Sequence, residues 1–253
     1  MKKSDRFVVV TRPESESKEF IQKLEKANFH VLSYPTVSIV KNRLSKSAIL
    51  YLKNLSSFDW IFFTSKSGVN FFFDSIKKLG IDKSILKKIQ IAVIGPATAR
   101  EIIKHKLSVS FMPSKFTTDD LAREIKNIKN KKILLPRSDI ATPLLTRSLK
   151  QKGANVINIP IYKTKYAVNK NIEFSNFLQK KQILALTFTS PSTVNGFVKN
   201  ITSYEKKNAI HIPVFSIGPI TSKAVKKQGF KIIHTAHFST HEGILAKLQE
   251  INL

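Results

Sequence analysis

The chain has 253 residues, enough for one large domain or two small ones, and its 42% hydrophobic and 24% charged residues are typical of a globular protein. It contains no cysteine, which excludes disulfide bonds, thiolate metal sites and cysteine nucleophiles and favours a cytoplasmic location. The formal net charge of +26 implies attraction to nucleic acid or to a small substrate rich in carboxylates, although basic residues spread this evenly also fit a solvated lysine-rich surface.

Apolar runs rich in β-branched residues alternate with segments of helical spacing along the whole chain. In the first half, strands are predicted at 7–11, 31–40, 60–64 and 89–94, and helices at 15–28, from 65, from 96 and at 121–128. In the second half, strands are predicted at 132–135, 156–166, 183–189, 213–217 and 232–233, and helices at 140–152, from 192, at 221–228 and at 241–251. This alternation favours parallel sheets with helices on both faces. No run approaches the ~20 apolar residues of a membrane span.

The chain contains an internal repeat. Residues 63–70 (FTSKSGVN) return 125 positions later as 188–195 (FTSPSTVN), and 94–98 (IGPAT) return 123 positions later as 217–221 (IGPIT). Weaker matches join 11–13 (TRP) to 136–138 (PRS) and 116–118 (FTT) to 238–240 (FST). Four matched blocks in one order indicate two related α/β halves. The blocks lie where strands end and helices begin, which is where open α/β sheets bind ligands.

Hydroxyl side chains stand at the predicted helix starts of both copies. The first turn of a helix has unpaired N–H groups and the positive end of the helix dipole, so it favours binding of a carboxylate or a phosphate. The alternative is that these side chains only cap their helices. The candidate ligands are Ser65, Ser67, Thr98, Ser190, Ser192 and Thr221.

Two further residues are candidates for chemistry at the same edge. Arg12 follows the first strand and can bind a carboxylate through two N–H groups, or it can be an ordinary surface cation. Tyr162 has no counterpart in the first copy, where Val37 aligns with it. A phenol can donate a proton to a leaving oxygen, but a half-buried aromatic on a connecting strand is an equally good interpretation.

Other site types find little support in the sequence. His234, His237 and His241 have suggestive spacing, but the segment crosses a loop and we do not expect a metal there. No nucleophile elbow, Walker A loop or dinucleotide fingerprint is present, and no nucleic-acid-binding signature accompanies the positive charge. The residues alone therefore leave open an enzyme, a nucleic-acid-binding protein and a non-catalytic anion-binding protein.

In order and spacing, the motifs together resemble the uroporphyrinogen-III synthase family over essentially the whole chain. The segments that carry the resemblance are 11–13 (TRP), 63–65 (FTS), 94–95 (IG), 160–164 (PIYKT), 188–192 (FTSPS) and 217–219 (IGP). The resemblance implies two similar parallel-sheet α/β domains with flanking helices, joined by a two-stranded β-ladder, with a cleft between them. It also implies a discontinuous domain of 1–36 with 167–253, an inserted domain of 37–166, and a ladder formed by the two proline-containing extended segments.

The resemblance further implies a cyclising lyase of tetrapyrrole (heme) biosynthesis. Such an enzyme closes hydroxymethylbilane to uroporphyrinogen III with loss of water and inversion of ring D, and it uses no cofactor. Tyr162 would assist departure of the hydroxyl group, and Thr98, Ser190 and Thr221 would line the cleft with Ser65 and Ser192 close by. The implied protein is a cytoplasmic monomer whose partners are its octacarboxylate substrate and, transiently, the preceding pathway enzyme. Ile220 stands where the family often has a second threonine, so one hydroxyl is missing.

Overall fold

The computed structural model describes residues 6–168 and 172–251, which form strands and helices in alternation. The strands are β1 (Phe7–Val10), β2 (His30–Ser33), β3 (Val37–Lys41), β4 (Trp60–Phe63), β5 (Gln90–Val93), β6 (Lys132–Ser138), β7 (Asn155–Tyr166), β8 (Ile183–Phe188), β9 (Val214–Ser216) and β10 (Ile233–Thr235). The helices are α1 (Glu14–Lys26), α2 (Lys46–Lys53), α3 (Lys66–Lys78), α4 (Pro96–Lys104), α5 (Thr118–Glu124), α6 (Leu144–Gln151), α7 (Ile172–Gln179), α8 (Pro191–Asn200), α9 (Ser203–Ala209), α10 (Pro219–Lys227) and α11 (His241–Glu250). None of the described helices is long and apolar enough to cross a bilayer.

The strands form two five-stranded sheets, in the orders β10-β9-β8-β1-β2 and β3-β7-β6-β4-β5. The chain divides into two compact units, one ending at Ile39 and resuming at Lys165, the other spanning Val40–Thr164. Apart from the pair of β3 and β7, neighbouring strands run parallel, as in β1 with β8 and β4 with β6. The predicted class, two parallel-sheet α/β units with flanking helices, is confirmed.

The chain passes between the two units within β3 and again within β7, which are neighbouring strands. Near one end of this pair, Ala167 N donates to Thr36 O at 3.0 Å, and near the other, Asn42 N donates to Ile161 O at 3.2 Å. Residue numbers rise along one strand as they fall along the other, so this pair is antiparallel.

The first unit is held by helices on both faces of its sheet. All six residues of β8 are buried, as expected for a strand covered on both sides. Along β1, Val9 packs with Phe188 and Phe197 on one face, whereas Val8 and Val10 pack with α1 and α11 on the other. The alternation follows from the two-residue period of a strand.

The second unit has the same layering. On one face Trp60 and Phe62 of β4 pack with Leu121 of α5 and Leu145 of α6. On the other face Phe63 meets Phe72 of α3 edge to face, with ring centroids 5.3 Å apart. Because helices cover both faces of the sheet, polar side chains are expected at the ends of the strands, where neither face covers them.

The predicted strand at 31–40 is wrong, because β2 and β3 are separate strands in different sheets. Pro35 lies between them and has no N–H to donate to a ladder. The interruption is fixed by Thr36, which is fully buried, with its Oγ1 3.1 Å from Thr11 O and 2.9 Å from Thr193 O. The equivalent prediction at 156–166 is confirmed as the single strand β7, whose register against β6 shifts by one residue just after Pro160.

Three short helices of seven or eight residues, α2, α7 and α9, were not predicted, although α7 carries Phe174, Phe177 and Leu178 at helical spacing. The starts of α2 and α9 carry local signals: Ser45 accepts from Ala48 N at 3.1 Å before α2, and Thr202 forms a capping box with Glu205 at α9. The helix predicted at 140–152 begins only at Leu144, and the one predicted at 121–128 spans Thr118–Glu124.

The three histidines that suggested a metal site lie in different surroundings. His234 packs on Phe215 with ring centroids 4.9 Å apart, His237 is exposed, and His241 stacks on Phe20 at 5.0 Å. Among the described residues, no three histidine, aspartate or glutamate side chains are grouped so that they could hold a metal ion.

His241 should make stability depend on pH. Burial, assisted by the charge of Arg12, lowers the pKa of His241 from 6.5 to about 3. Between these two pH values the unfolded chain binds a proton that the folded chain does not, so stability falls as pH falls. We expect His241 to account for a loss of up to about 2 kcal/mol in the free energy of unfolding between pH 7 and pH 5. Urea denaturation at both pH values measures it.

The variant His241→Phe keeps a ring against Phe20 and should remove this part of the pH dependence. The matched control is His211→Gln at an exposed histidine, which should behave as the wild type does. If the wild type and His241→Phe lost the same free energy on acidification, His241 would not be the group responsible.

Candidate active site at the carboxyl edges of the sheets

In the second unit, the carboxyl ends of β4, β5 and β6 meet at one edge because these strands are parallel. Ser65 follows β4 and Gly95 follows β5 at this edge. Ser138 ends β6 and pairs in register with Tyr162 of β7, directly after a register shift between Arg137 and Ser138. The parallel register therefore brings the side chain without a repeat partner, Tyr162, to the same edge as the repeated hydroxyls.

Contacts with Ser65 and Phe71 help to hold Tyr162 there. Its Oη lies 3.0 Å from Ser65 Oγ, across 97 residues of sequence, and its ring stacks on Phe71 of α3 with centroids 5.7 Å apart. Only 8% of the residue is exposed. A phenol fixed in this way can present its proton in one direction, which is the geometry that proton donation requires.

Ser65 both caps a helix and contacts the phenol. Its Oγ accepts from Gly68 N at 3.0 Å, at the start of α3, so the capping interpretation holds for this residue. A hydroxyl also has a proton to donate and a second lone pair, and either can serve the bond to Tyr162 Oη. Ser67, in the first turn of the same helix, is buried.

Thr98 and Thr221 occupy equivalent places in the two units. Each is the third residue of a helix that begins with Gly-Pro, α4 and α10 respectively, and each is buried. Pro96 and Pro219 have no N–H, so they suit the first helical position. Ile220, the neighbour of Thr221, is 49% exposed.

A hydroxyl chain that the sequence analysis missed supports the second of these loops. Ser222 Oγ lies 2.5 Å from Ser216 Oγ, 2.7 Å from Thr235 Oγ1 and 3.3 Å from Gly218 O. Ser216 lies in an otherwise apolar strand and is fully buried, and a buried hydroxyl of this kind needs a partner. In the sequence, the single serine Ser216 within this apolar strand was the feature that could have indicated the hydroxyl chain.

At the edge of the first unit, Ser190 follows β8 and caps α8. It accepts from Thr193 N at 3.2 Å, and Thr193 Oγ1 accepts in turn from Ser190 N at 3.3 Å. Ser190 Oγ also lies 2.8 Å from Ser192 Oγ. Ser190 and Ser192 are thus in contact with each other, and each already has a partner.

Arg12 lies just after β1 in the first unit, and Tyr162 belongs to the second unit. Arg12 Nη2 donates to Glu16 Oε2 at 2.8 Å. Burial lowers the pKa of Arg12, and the carboxylate of Glu16 opposes this effect. A substrate carboxylate would have to compete with Glu16 for this guanidinium.

Arg137 is a buried arginine, which the sequence indicated only through the weak match of 11–13 to 136–138. It lies one residue before the end of β6, and its Nη2 donates to Thr142 O at 3.1 Å. Burial lowers the pKa of Arg137, while nearby Tyr162 acts in the opposite direction. The edge that carries Tyr162 therefore also carries a buried cation.

A family model described as uroporphyrinogen-III synthase HemD matches residues 18–246 of the chain. A putative uroporphyrinogen-III synthase from Methanocaldococcus jannaschii is 32% identical over 96% of this chain and 98% of that protein. The porphyrin biosynthesis protein HemD of Ruminiclostridium josui is 28% identical over 96% of this chain and 48% of that protein, so the chain spans about half its length.

Solved structures agree in fold. A mutant uroporphyrinogen III synthase from Thermus thermophilus superposes with a TM-score of 0.64 at 17% identity, over 97% of this chain and 98% of that one. The uroporphyrinogen-III synthetase of Helicobacter pylori gives a TM-score of 0.61 at 16% identity, over 98% and 99% of the two chains. At these identities the likeness concerns the fold.

Proposed function

The chain belongs to the uroporphyrinogen-III synthase family, and on that premise we propose that it cyclises hydroxymethylbilane to uroporphyrinogen III with loss of water and inversion of ring D. The family is one of cyclising lyases in tetrapyrrole biosynthesis. The observation in this chain that carries the proposal is the contact of the buried Tyr162 with the partly buried Ser65 at the carboxyl edge of the second sheet.

Substrate binding is assigned to the helix starts of both units. Hydroxymethylbilane has eight carboxylates, and each of α3, α4, α8 and α10 begins at the edge of its sheet with the positive end of its dipole outward. The side chains assigned to binding are Ser65, Ser67, Thr98, Ser190, Ser192 and Thr221. The net charge of +26 adds long-range attraction for such a substrate.

The first chemical step is the loss of the hydroxyl group from ring A. Tyr162 Oη donates its proton to the leaving oxygen, the C–O bond breaks, and water leaves together with the electron pair of that bond. The pyrrole nitrogen shares the positive charge of the resulting azafulvene. Ser65 Oγ, 3.0 Å from Tyr162 Oη, can donate a hydrogen bond to the phenolate that forms.

The second part of the reaction decides the isomer. The electrophilic carbon must be attacked by the substituted α carbon of ring D, which gives a spiro intermediate. The bond from that carbon to the bridge that joins ring C then breaks, the bridge carbon bonds to the unsubstituted α carbon on the other side of the ring nitrogen, and that carbon loses its proton. Attack at the unsubstituted carbon gives the symmetric type I isomer without any protein. The protein therefore acts chiefly by holding the chain folded, and the apolar ring of Phe71 beside Tyr162 disfavours water as a competing nucleophile.

We also propose that the enzyme works without a cofactor, as a cytoplasmic monomer, and receives its substrate through transient contact with the preceding pathway enzyme. The absence of cysteine supports the cytoplasmic location. The spontaneous closure of the free substrate supports direct transfer, because time in solution yields the wrong isomer.

Product analysis tests the function. Freshly made hydroxymethylbilane is supplied to the purified protein, the products are oxidised, and the type I and type III porphyrins are separated. We expect type III to predominate with the protein and type I to predominate without it. Type I alone, formed at the spontaneous rate, would overturn the proposal and make salt-dependent nucleic-acid binding, which the +26 charge motivates, the next measurement.

A further inference from the structure

Arg12, which is partly buried, and Arg137, which is buried, hold corresponding places in the repeat but differ in their counterions. Arg12 and Arg137 lie 125 residues apart, the same offset as the strongest repeated block. Arg12 bonds to Glu16, four residues further on, at 2.8 Å. Four residues after Arg137 the chain has Ala141. The second half therefore lacks the carboxylate that neutralises the arginine of the first half.

No other carboxylate replaces it within the described residues. Arg137 is 8% exposed, and Thr142 O is the acceptor that the structure gives it. Its Nε is buried with no hydrogen-bond partner, a property that it shares with Arg12. A buried guanidinium with a neutral carbonyl as its acceptor is poorly compensated, so a carboxylate from outside the chain would be favoured there.

The position of Arg137 selects which carboxylate that would be. Arg137 pairs in register with Pro160, and the next pair along the two strands is Ser138 with Tyr162. The residues that follow β6 form a short loop in which Ile140, Thr142 and Pro143 are exposed, so a ligand can reach the guanidinium at this loop in place of Thr142 O. The guanidinium and the phenol therefore belong to neighbouring residue pairs at the same carboxyl edge.

We propose that Arg137 binds a carboxylate of hydroxymethylbilane on the part of the substrate that reacts at Tyr162. The assignment rests on the proposed function and makes it more specific, since one charged contact would fix the reacting end of a flexible four-ring chain. A carboxylate accepts two N–H groups from a guanidinium in a fixed plane, which orients the substrate as well as binding it.

The test compares Arg137→Gln with Arg147→Gln, which removes the same charge from an exposed position of α6 in the same unit. For Arg137→Gln we expect KM for hydroxymethylbilane to rise roughly 10- to 100-fold, the range for a hydrogen bond to a charged group, with a smaller change in kcat. Binding of uroporphyrin III, an octacarboxylate, should weaken by a similar factor in a titration of protein fluorescence. Arg147→Gln should leave both quantities unchanged.

Stability separates binding from a structural role. Removing an unneutralised buried cation should not lower the midpoint of urea unfolding, whereas a structural arginine would lower it while leaving KM unchanged, and that result would overturn the proposal. If Arg137→Gln does not fold, the same measurement is made on Arg137→Lys, which keeps the charge but loses the planar guanidinium. An unaltered KM in Arg137→Lys would also overturn the proposal that the guanidinium orients a substrate carboxylate. The proposed function and the role of Arg137 are tested by different measurements. A wild-type protein that makes no type III isomer would overturn the proposed function. The affinity of Arg137→Gln for uroporphyrin III, compared with that of the wild type, would still decide whether Arg137 binds a carboxylate.

Discussion

Replacing Tyr162 with phenylalanine is expected to lower kcat for type III formation about 100-fold or more while the protein stays folded, because a positioned general acid contributes a factor of this size. The substitution removes only Oη. The ring can still stack on Phe71, and Ser65 Oγ still accepts from Gly68 N, so neither packing nor the helix cap is lost. As the catalysed rate falls, the share of type I product should rise, since spontaneous closure then competes.

The same substitution at Tyr166 is the matched control. Tyr166 ends the same strand, β7, and is 43% exposed, and its hydroxyl is not part of the proposed site. Steady-state turnover with isomer analysis of Tyr162→Phe, Tyr166→Phe and the wild type gives the comparison. Turnover of Tyr162→Phe equal to that of Tyr166→Phe would remove Tyr162 from the chemistry, whatever the fate of the family assignment.

Gly196→Ala is expected to lower the free energy of unfolding by about 3 kcal/mol or more, at the upper end of the effects of overpacking a core. A Cβ at this position of α8 would lie 2.3 Å from the carbonyl oxygen of Thr36. The neighbour cannot retreat easily, because Thr36 O accepts from Ala167 N at 3.0 Å and its side chain is buried against Thr11 and Thr193. The helix propensity of alanine, worth about 1 kcal/mol over glycine, offsets only part of this loss.

Urea denaturation measures the effect, provided that the slope with denaturant is unchanged. The control is Lys207→Ala at an exposed position of α9, where we expect a change within about 0.5 kcal/mol. A loss below about 1 kcal/mol for Gly196→Ala would mean that α8 can move away from Thr36. It would also mean that the break between β2 and β3 is less rigid than its hydrogen bonds indicate.

The sequence by itself determined the alternation of strands and helices, the two related halves and the helix starts with their hydroxyls. These features depend on local properties: the period of apolar residues, the missing N–H of proline and the preference of serine and threonine for capping positions. Capping at Ser65 and Ser190 was predictable for the same reason, since the acceptor and the donor lie three residues apart. The order of the motifs was also enough to indicate the family.

Only the tertiary structure decided which of these residues lie together. The contact between Ser65 and Tyr162 spans 97 residues and depends on the register of β7 against β6, including a shift that no local pattern announces. The contrast between Arg12, paired with Glu16, and Arg137, without a carboxylate among the described residues, likewise required the burial and the neighbours of each guanidinium. The split of 31–40 into β2 and β3 was hidden because their residues favour an extended backbone in either sheet. Strand propensity does not specify a partner; packing and hydrogen bonds to distant residues do.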